Sequence, residues 1–178
     1  LRHVDAVGVR RTVEQAGLEL TCSTGLGPET DITSADPAVR RAGLDALYRD
    51  IALTAETGST LLCGMLYGPW GVVAPGQERR SAWERSIEAM RSAGKYAKDH
   101  GVTLALEVLN RYETSLLNTA SQARAFVDAV GLPQVGIHLD TYHLNIEERD
   151  PAGAIRATGP LQTTTGARPD AGMFPGQR

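Results

Sequence analysis

Two carboxylates and a histidine stand where short apolar runs end. Glu107 lies near the end of the run Thr103 to Val108, and Asp140 follows the run Gln134 to Leu139. His143 comes soon after Asp140, and Glu113 soon after Glu107. Hard divalent cations take carboxylate oxygen, and an imidazole nitrogen tilts the choice toward Mn2+, Co2+ or Zn2+. A lone strand-end acid is as readily a helix N-cap or a surface charge. Both acids together, with His143 close behind, favour a site. His143 is read in a loop, Asp140-Thr141-Tyr142-His143, where functional groups gather. His138 sits inside the run among apolar neighbours and reads as a satisfied core histidine. Glu113 stands beside Asn110 and Arg111, either solvated or paired with Arg111. Trp70 is a substrate wall or a cap over the fold, and Trp83 reads as core. Gly25 and Gly27 could cradle an anion, although two loop glycines say little.

Elements must exist to bring these groups together. Leu1 to Ala16 predicts a helix ended by Gly17, and Leu18 to Cys22 a short strand. Ser23 to Pro28 reads as a glycine-rich loop. Asp36-Pro37 opens a helix to about Thr57, with Asp36 as N-cap and proline in the first turn. Thr60 to Leu66 predicts a buried strand, Tyr67 to Gly76 a loop, and Glu78 to His100 a helix closed by Gly101. Thr103 to Val108 and Gln134 to Leu139 are strands, with a helix between Asn118-Thr119 and Gly131-Leu132-Pro133. Asn145 to Thr158 reads as one more helix, broken early by Asp150-Pro151.

Short apolar strands thus alternate with helices, the pattern of βα units around a parallel sheet. An open doubly wound sheet and a (β/α)8 barrel both fit. No dinucleotide-type glycine fingerprint follows a strand, which weakens the first. Acids at the C-terminal ends of two strands favour the barrel, whose chemistry sits on that rim. Four strands are read where a barrel has eight, so an incomplete barrel is expected.

Composition narrows the class. The 178 residues are 42% hydrophobic and 22% charged, enough for one domain with a real core. A formal net charge of −3 gives no basic footprint for nucleic acid. No apolar run has the length of a membrane span, and no signal segment opens the chain. Cys22 and Cys63 read as buried thiols in a reducing compartment. A cytoplasmic protein acting on a small molecule is expected, without nucleic-acid or membrane partners. The chain opens at Leu1 inside a helix, so a missing N-terminus is expected.

Leu106-Glu107-Val108-Leu109-Asn110-Arg111-Tyr112-Glu113, Leu117-Asn118-Thr119 and the run from Leu139 through Glu148 resemble the ketose 3-epimerase family. Its known members include D-tagatose 3-epimerase and D-psicose 3-epimerase, within the xylose-isomerase-like sugar isomerase/epimerase superfamily. The resemblance spans Leu1 to about Gly159. It implies a (β/α)8 TIM barrel with one divalent metal, Mn2+ first, Co2+ or Mg2+ otherwise. It implies that Glu107 is metal ligand and catalytic base, and Asp140 a second ligand. Glu113 and His143 would bind a sugar near its carbonyl and adjacent hydroxyl. Homo-oligomers are implied for intact members.

The family's further ligands have no counterpart here: a sixth-strand histidine, an arginine after it, and an eighth-strand glutamate. The first strand is absent too. Residues 1–160 are therefore expected to form a partial barrel, and residues 161–178 an aberrant tail that is neither strand nor helix. Shifting the tail's reading frame by one base, with codons ending in C, gives Asp-His-His-Arg across Gln162 to Gly166. That looks like the family's segment after the sixth strand, so a frameshifted end is expected. Such a chain would bind metal weakly and have impaired activity. Two alternatives are an endonuclease IV-type barrel phosphodiesterase, opposed by four histidines and the acidic charge, and a non-catalytic barrel fragment.

Overall fold

The computed structural model describes residues 4–72, 76–159 and 162–166, the last five as backbone. Five strands run parallel in the order of the chain: β1 (Cys22–Leu26), β2 (Leu61–Pro69), β3 (Thr103–Val108), β4 (Val135–Asp140) and β5 (Gln162–Gly166). Helices α1 (Ala6–Ala16), α2 (Pro37–Glu56), α3 (Gly76–Asp99), α4 (Ala120–Val130), α5 (Thr141–Glu147) and α6 (Pro151–Thr158) separate or flank them. Each neighbouring strand is the next in sequence, as in a barrel wall; an open doubly wound sheet reverses its order at a switch point.

Local chemistry sets the boundaries. Asp36 caps α2, its carboxylate accepting from the Ala38 N–H at 2.8 Å. Thr119 and Gln122 form a capping box at the start of α4, and Gly131 ends it at φ 70°. Strand alternation turns Leu104, Leu106 and Val108 to one face of β3, and Ala105 and Glu107 to the other. The first face joins Ile137, Leu139, Met90 and Phe126 in the core. The Trp83 ring meets Phe126 edge-on at 5.0 Å, in keeping with its core reading.

Several sequence expectations shift. The first strand is Cys22–Leu26 instead of Leu18 to Cys22, so Ser23, Thr24 and Gly25 leave the expected loop and pair with Cys63, Gly64 and Met65. Gly64 permits this close approach. It lies at φ 120°, and a Cβ there would strike the Thr24 carbonyl oxygen. Strand β2 continues to Pro69 through Tyr67, which was expected in a loop and is fully buried. The single helix expected over Asn145 to Thr158 is two, α5 and α6, with Asp150 capping the second. Gln162–Gly166, expected to be neither strand nor helix, pairs with β4, making five strands instead of four. Backbone pairing requires little of the side chains there. The other tail residues, 161 and 167–178, lie outside the described residues.

Candidate active site

The C-terminal ends of β3 and β4 carry the two acids. Asp140 ends β4 and also caps α5, accepting from the Tyr142 N–H at 2.7 Å. Helix α5 therefore starts at the strand tip, and His143 lies in its first turn instead of a loop. That turn swings His143 over Glu107, with Nε2 3.8 Å from Glu107 Oε1. One ligand atom from each of Glu107, Asp140 and His143 lies within 4.8 Å of the others. Two carboxylates and an imidazole at that spacing fit a single divalent cation.

Beyond β3 the chain turns through a polar network. Glu113 accepts from the Trp70 indole N–H at 2.8 Å and from Asn110 Nδ2 at 2.7 Å. Asn110 Nδ2 also lies 2.9 Å from His143 Nδ1. Arg111 does not pair with Glu113. It bonds Glu147 through Nε at 2.9 Å and Nη2 at 2.8 Å, and its backbone N–H donates to the same carboxylate at 2.6 Å. Hydrogen bonding from Arg111 holds the Glu147 carboxyl below its ordinary range. Glu148 accepts from the Ala120 N–H at 2.8 Å, at the positive end of α4. Adjacent glutamates thus fasten the site's loop and a neighbouring helix.

A pocket of about 220 Å³ opens between these groups, lined by Thr24, Met65, Trp70, Glu107, Glu113 and His143 among others. All sequence-predicted site residues except Asp140 line it, and Asp140 joins through the metal-competent trio. Gly25 lines it as strand backbone, whereas the Gly27 N–H is taken by Thr30 Oγ1 at 3.0 Å. Trp70 is 61% exposed, so it flanks the opening and buries little of itself in the fold. A larger pocket between α4 and α6 contains neither Glu107 nor Asp140.

His138 departs from its expected role. Its register partner is Glu107, so it faces the same side of the sheet as both acids. Both ring nitrogens are buried and have no hydrogen-bond partner among the described residues. Burial pushes its pKa down. Burial also pushes the Tyr67 hydroxyl up, with Glu107 adding to the effect. Asn110 and Glu147 were not singled out from sequence. The only available signal for Asn110 was its place between Glu107 and Glu113, since a loop asparagine has no inherent chemistry.

Comparison with known proteins follows the same lines. The xylose isomerase-like TIM barrel family matches residues 4–164. An L-ribulose 3-epimerase of Mesorhizobium japonicum is 40% identical over 153 residues, which are 86% of this chain and 51% of that protein. A ketose 3-epimerase of Arthrobacter globiformis is 40% identical over 158 residues, covering 82% of this chain and 50% of that one. The crystal structure of a Methylomonas D-allulose 3-epimerase in complex with D-allulose superposes with a TM-score of 0.87. It is 35% identical and covers 92% of this chain and 57% of that chain. The chain spans about half the length of the curated relatives it matches. By sequence and by fold, the chain belongs to the xylose isomerase-like TIM barrel family.

Proposed function

We propose that this chain carries part of the active site of a metal-dependent ketose 3-epimerase. The observation that supports it most is the meeting of Glu107, Asp140 and His143 at the C-terminal rim of a parallel sheet. Glu107 and Asp140 are the protein ligands, with Mn2+ the first choice and Co2+ or Mg2+ alternatives. A bound divalent ion would lower the cost of negative charge on the sugar oxygens. Glu107 takes the C3 proton, the electron pair of the C–H bond moves between C2 and C3, and the carbonyl π pair moves onto O2 to give an enediolate. Glu113 and His143 hold the sugar near its carbonyl and neighbouring hydroxyl, and Trp70 walls the opening. Proton return on the opposite face inverts C3 and needs a second base. Neither Asp140 nor His143 is assigned that second role in this reading, and weak net epimerisation by this chain is part of the proposal.

One base suffices for exchange, whereas two are needed for inversion, and that difference gives the test. The chain is incubated with Mn2+ and D-fructose in D2O, and proton NMR follows the C3 signal. Deuterium enters C3 faster than product epimer accumulates, and E107Q slows exchange by about 10³-fold. Exchange at C1 would mark an aldose–ketose isomerase instead. Equal exchange in E107Q, or none in either protein, overturns the proposal; rapid net epimerisation overturns the weak-activity reading.

A further inference from the structure

We propose that Asn110 is a positioning residue that fixes His143 as the Nε2–H tautomer, making it a hydrogen-bond donor to a ligand and barring it from the metal. Asn110 is 1% exposed and His143 6%, so water does not compete for the atoms between them. The Asn110 carboxamide has one possible orientation. Its Oδ1 accepts from the Tyr112 N–H at 2.9 Å, so Nδ2 faces Glu113 and His143. Turning the amide over would set its oxygen against the Glu113 carboxylate and its NH2 against the Tyr112 N–H. Both groups would lose a partner, a costly change inside the fold.

Nδ2 can only donate, as can the backbone N–H of Asn110, which points at the same His143 Nδ1 from 3.3 Å. Two donors converge on one ring nitrogen. That nitrogen must supply the lone pair, so the proton of the neutral ring sits on Nε2. A ring turned over would put carbon against both donors. Glu113 Oε1 is 3.9 Å from Nδ1, beyond hydrogen-bonding reach, with the Asn110 amide bonded to both. An Nε2 that bears a proton cannot ligate a cation. It faces Glu107 Oε1 at 3.8 Å, too far for a good bond between them. A sugar oxygen at the pocket is the acceptor that completes the set. Proximity alone thus overstates the ligand set: Glu107 and Asp140 can bind metal, and His143 is held for the substrate. The tautomer stands on the hydrogen bonds alone; only its use toward a sugar rests on the function proposed above.

The test uses the 15N-labelled 178-residue chain at a pH where the imidazole is neutral. Two-bond 1H–15N correlations read the tautomer, and H143Q identifies the His143 signals by their loss. The wild type gives the Nε2–H pattern and keeps it when Zn2+ is added. N110D puts an acceptor against Nδ1 and moves the ring to the Nδ1–H or doubly protonated pattern, while N110A leaves a mixture. A wild type with Nδ1–H, or one whose Nε2 loses its proton to Zn2+, overturns the proposal whether or not the variants fold. If Zn2+ leaves Glu107 and Asp140 resonances unmoved, the metal site of the proposed function fails. The wild-type pattern still decides the tautomer in that case.

Discussion

Arg111, just beyond β3, grips Glu147 at the end of α5, its guanidinium fork meeting both carboxylate oxygens while its own backbone N–H donates to one of them. Arg111 is exposed, yet the Glu147 side chain is only 5% accessible. The pair joins the segment that carries Glu113 to the helix that carries His143, so it sets the distance between two pocket walls. Hydrogen bonding from Arg111 lowers the Glu147 pKa. A depressed carboxyl pKa stabilises the fold above its unfolded value, about 4.3 for Glu. That stabilisation disappears as pH falls through the lower, folded value. E147Q should therefore melt below wild type at neutral pH, and the gap should close on acidification. Thermal melts across a pH series decide it; a gap that widens toward acid would contradict the pairing.

Asp140 has two tasks, and two substitutions separate them. Its side chain caps α5 through the Tyr142 N–H and, with Glu107, is one of the two carboxylates proposed to hold the metal. D140N keeps an oxygen for the cap and loses the anionic ligand. D140A loses both. Mn2+ affinity should drop at least about 10-fold in either variant, by analogy with loss of supporting groups at metal sites. Only D140A should lose an additional ~1 kcal/mol of stability, the usual cost of an N-cap. Calorimetric titration and denaturant unfolding measure the two effects. Equal stability of the variants would mean the cap contributes nothing.

Sequence exposed the acids and hid the network that aims them. Glu107 and Asp140 were legible because an apolar run ending in a carboxylate is a strong local pattern, and the helix stops at Gly17 and Gly131 were legible for the same reason. His143 was legible as a site residue but placed in a loop. Asp140 ends a strand and caps a helix at once, and no composition signal marks so abrupt a change. Strand β1 was misplaced because Ser23, Thr24 and Gly25 have a turn-like composition, and only pairing with β2 makes them a strand. Asn110 and Glu147 act through partners far along the chain, at His143 and Arg111, and such contacts exist only after folding.

Trp70 offers an optical readout of the pocket. Its indole N–H donates to Glu113 Oε2 at 2.8 Å, and its ring is largely exposed beside the opening. A sugar that engages Glu113 must disturb this bond or cover the ring. D-allulose in the presence of Mn2+ should change the emission of Trp70. Trp83 packs on Phe126 and should stay constant, so W70F removes the response. W70F keeps the ring wall and deletes one hydrogen bond, so sugar affinity should fall about 3- to 10-fold, the scale of one net hydrogen bond. An unchanged response in W70F would place the sugar elsewhere.

The tail makes a prediction about the gene. In β5, Thr164 pairs with His138, Thr165 with Leu139 and Gly166 with Asp140, so this strand ends beside Asp140. The sequence there has three threonines and a glycine in a row. One base out of frame, threonine codons ending in C become histidine codons, and the threonine–glycine junction becomes arginine. The shifted reading would thus introduce histidine, a borderline nitrogen ligand, into the sequence of this strand. Sequencing the coding DNA through this region should find C-ending threonine codons and a shifted frame that stays open into a strand-borne glutamate. A restored-frame protein should then bind Mn2+ more tightly than the 178-residue chain and invert C3 as well as exchange it. Stop codons shortly beyond the tail in the shifted frame, or no gain in Mn2+ affinity on restoring it, would show the tail to be the protein's own.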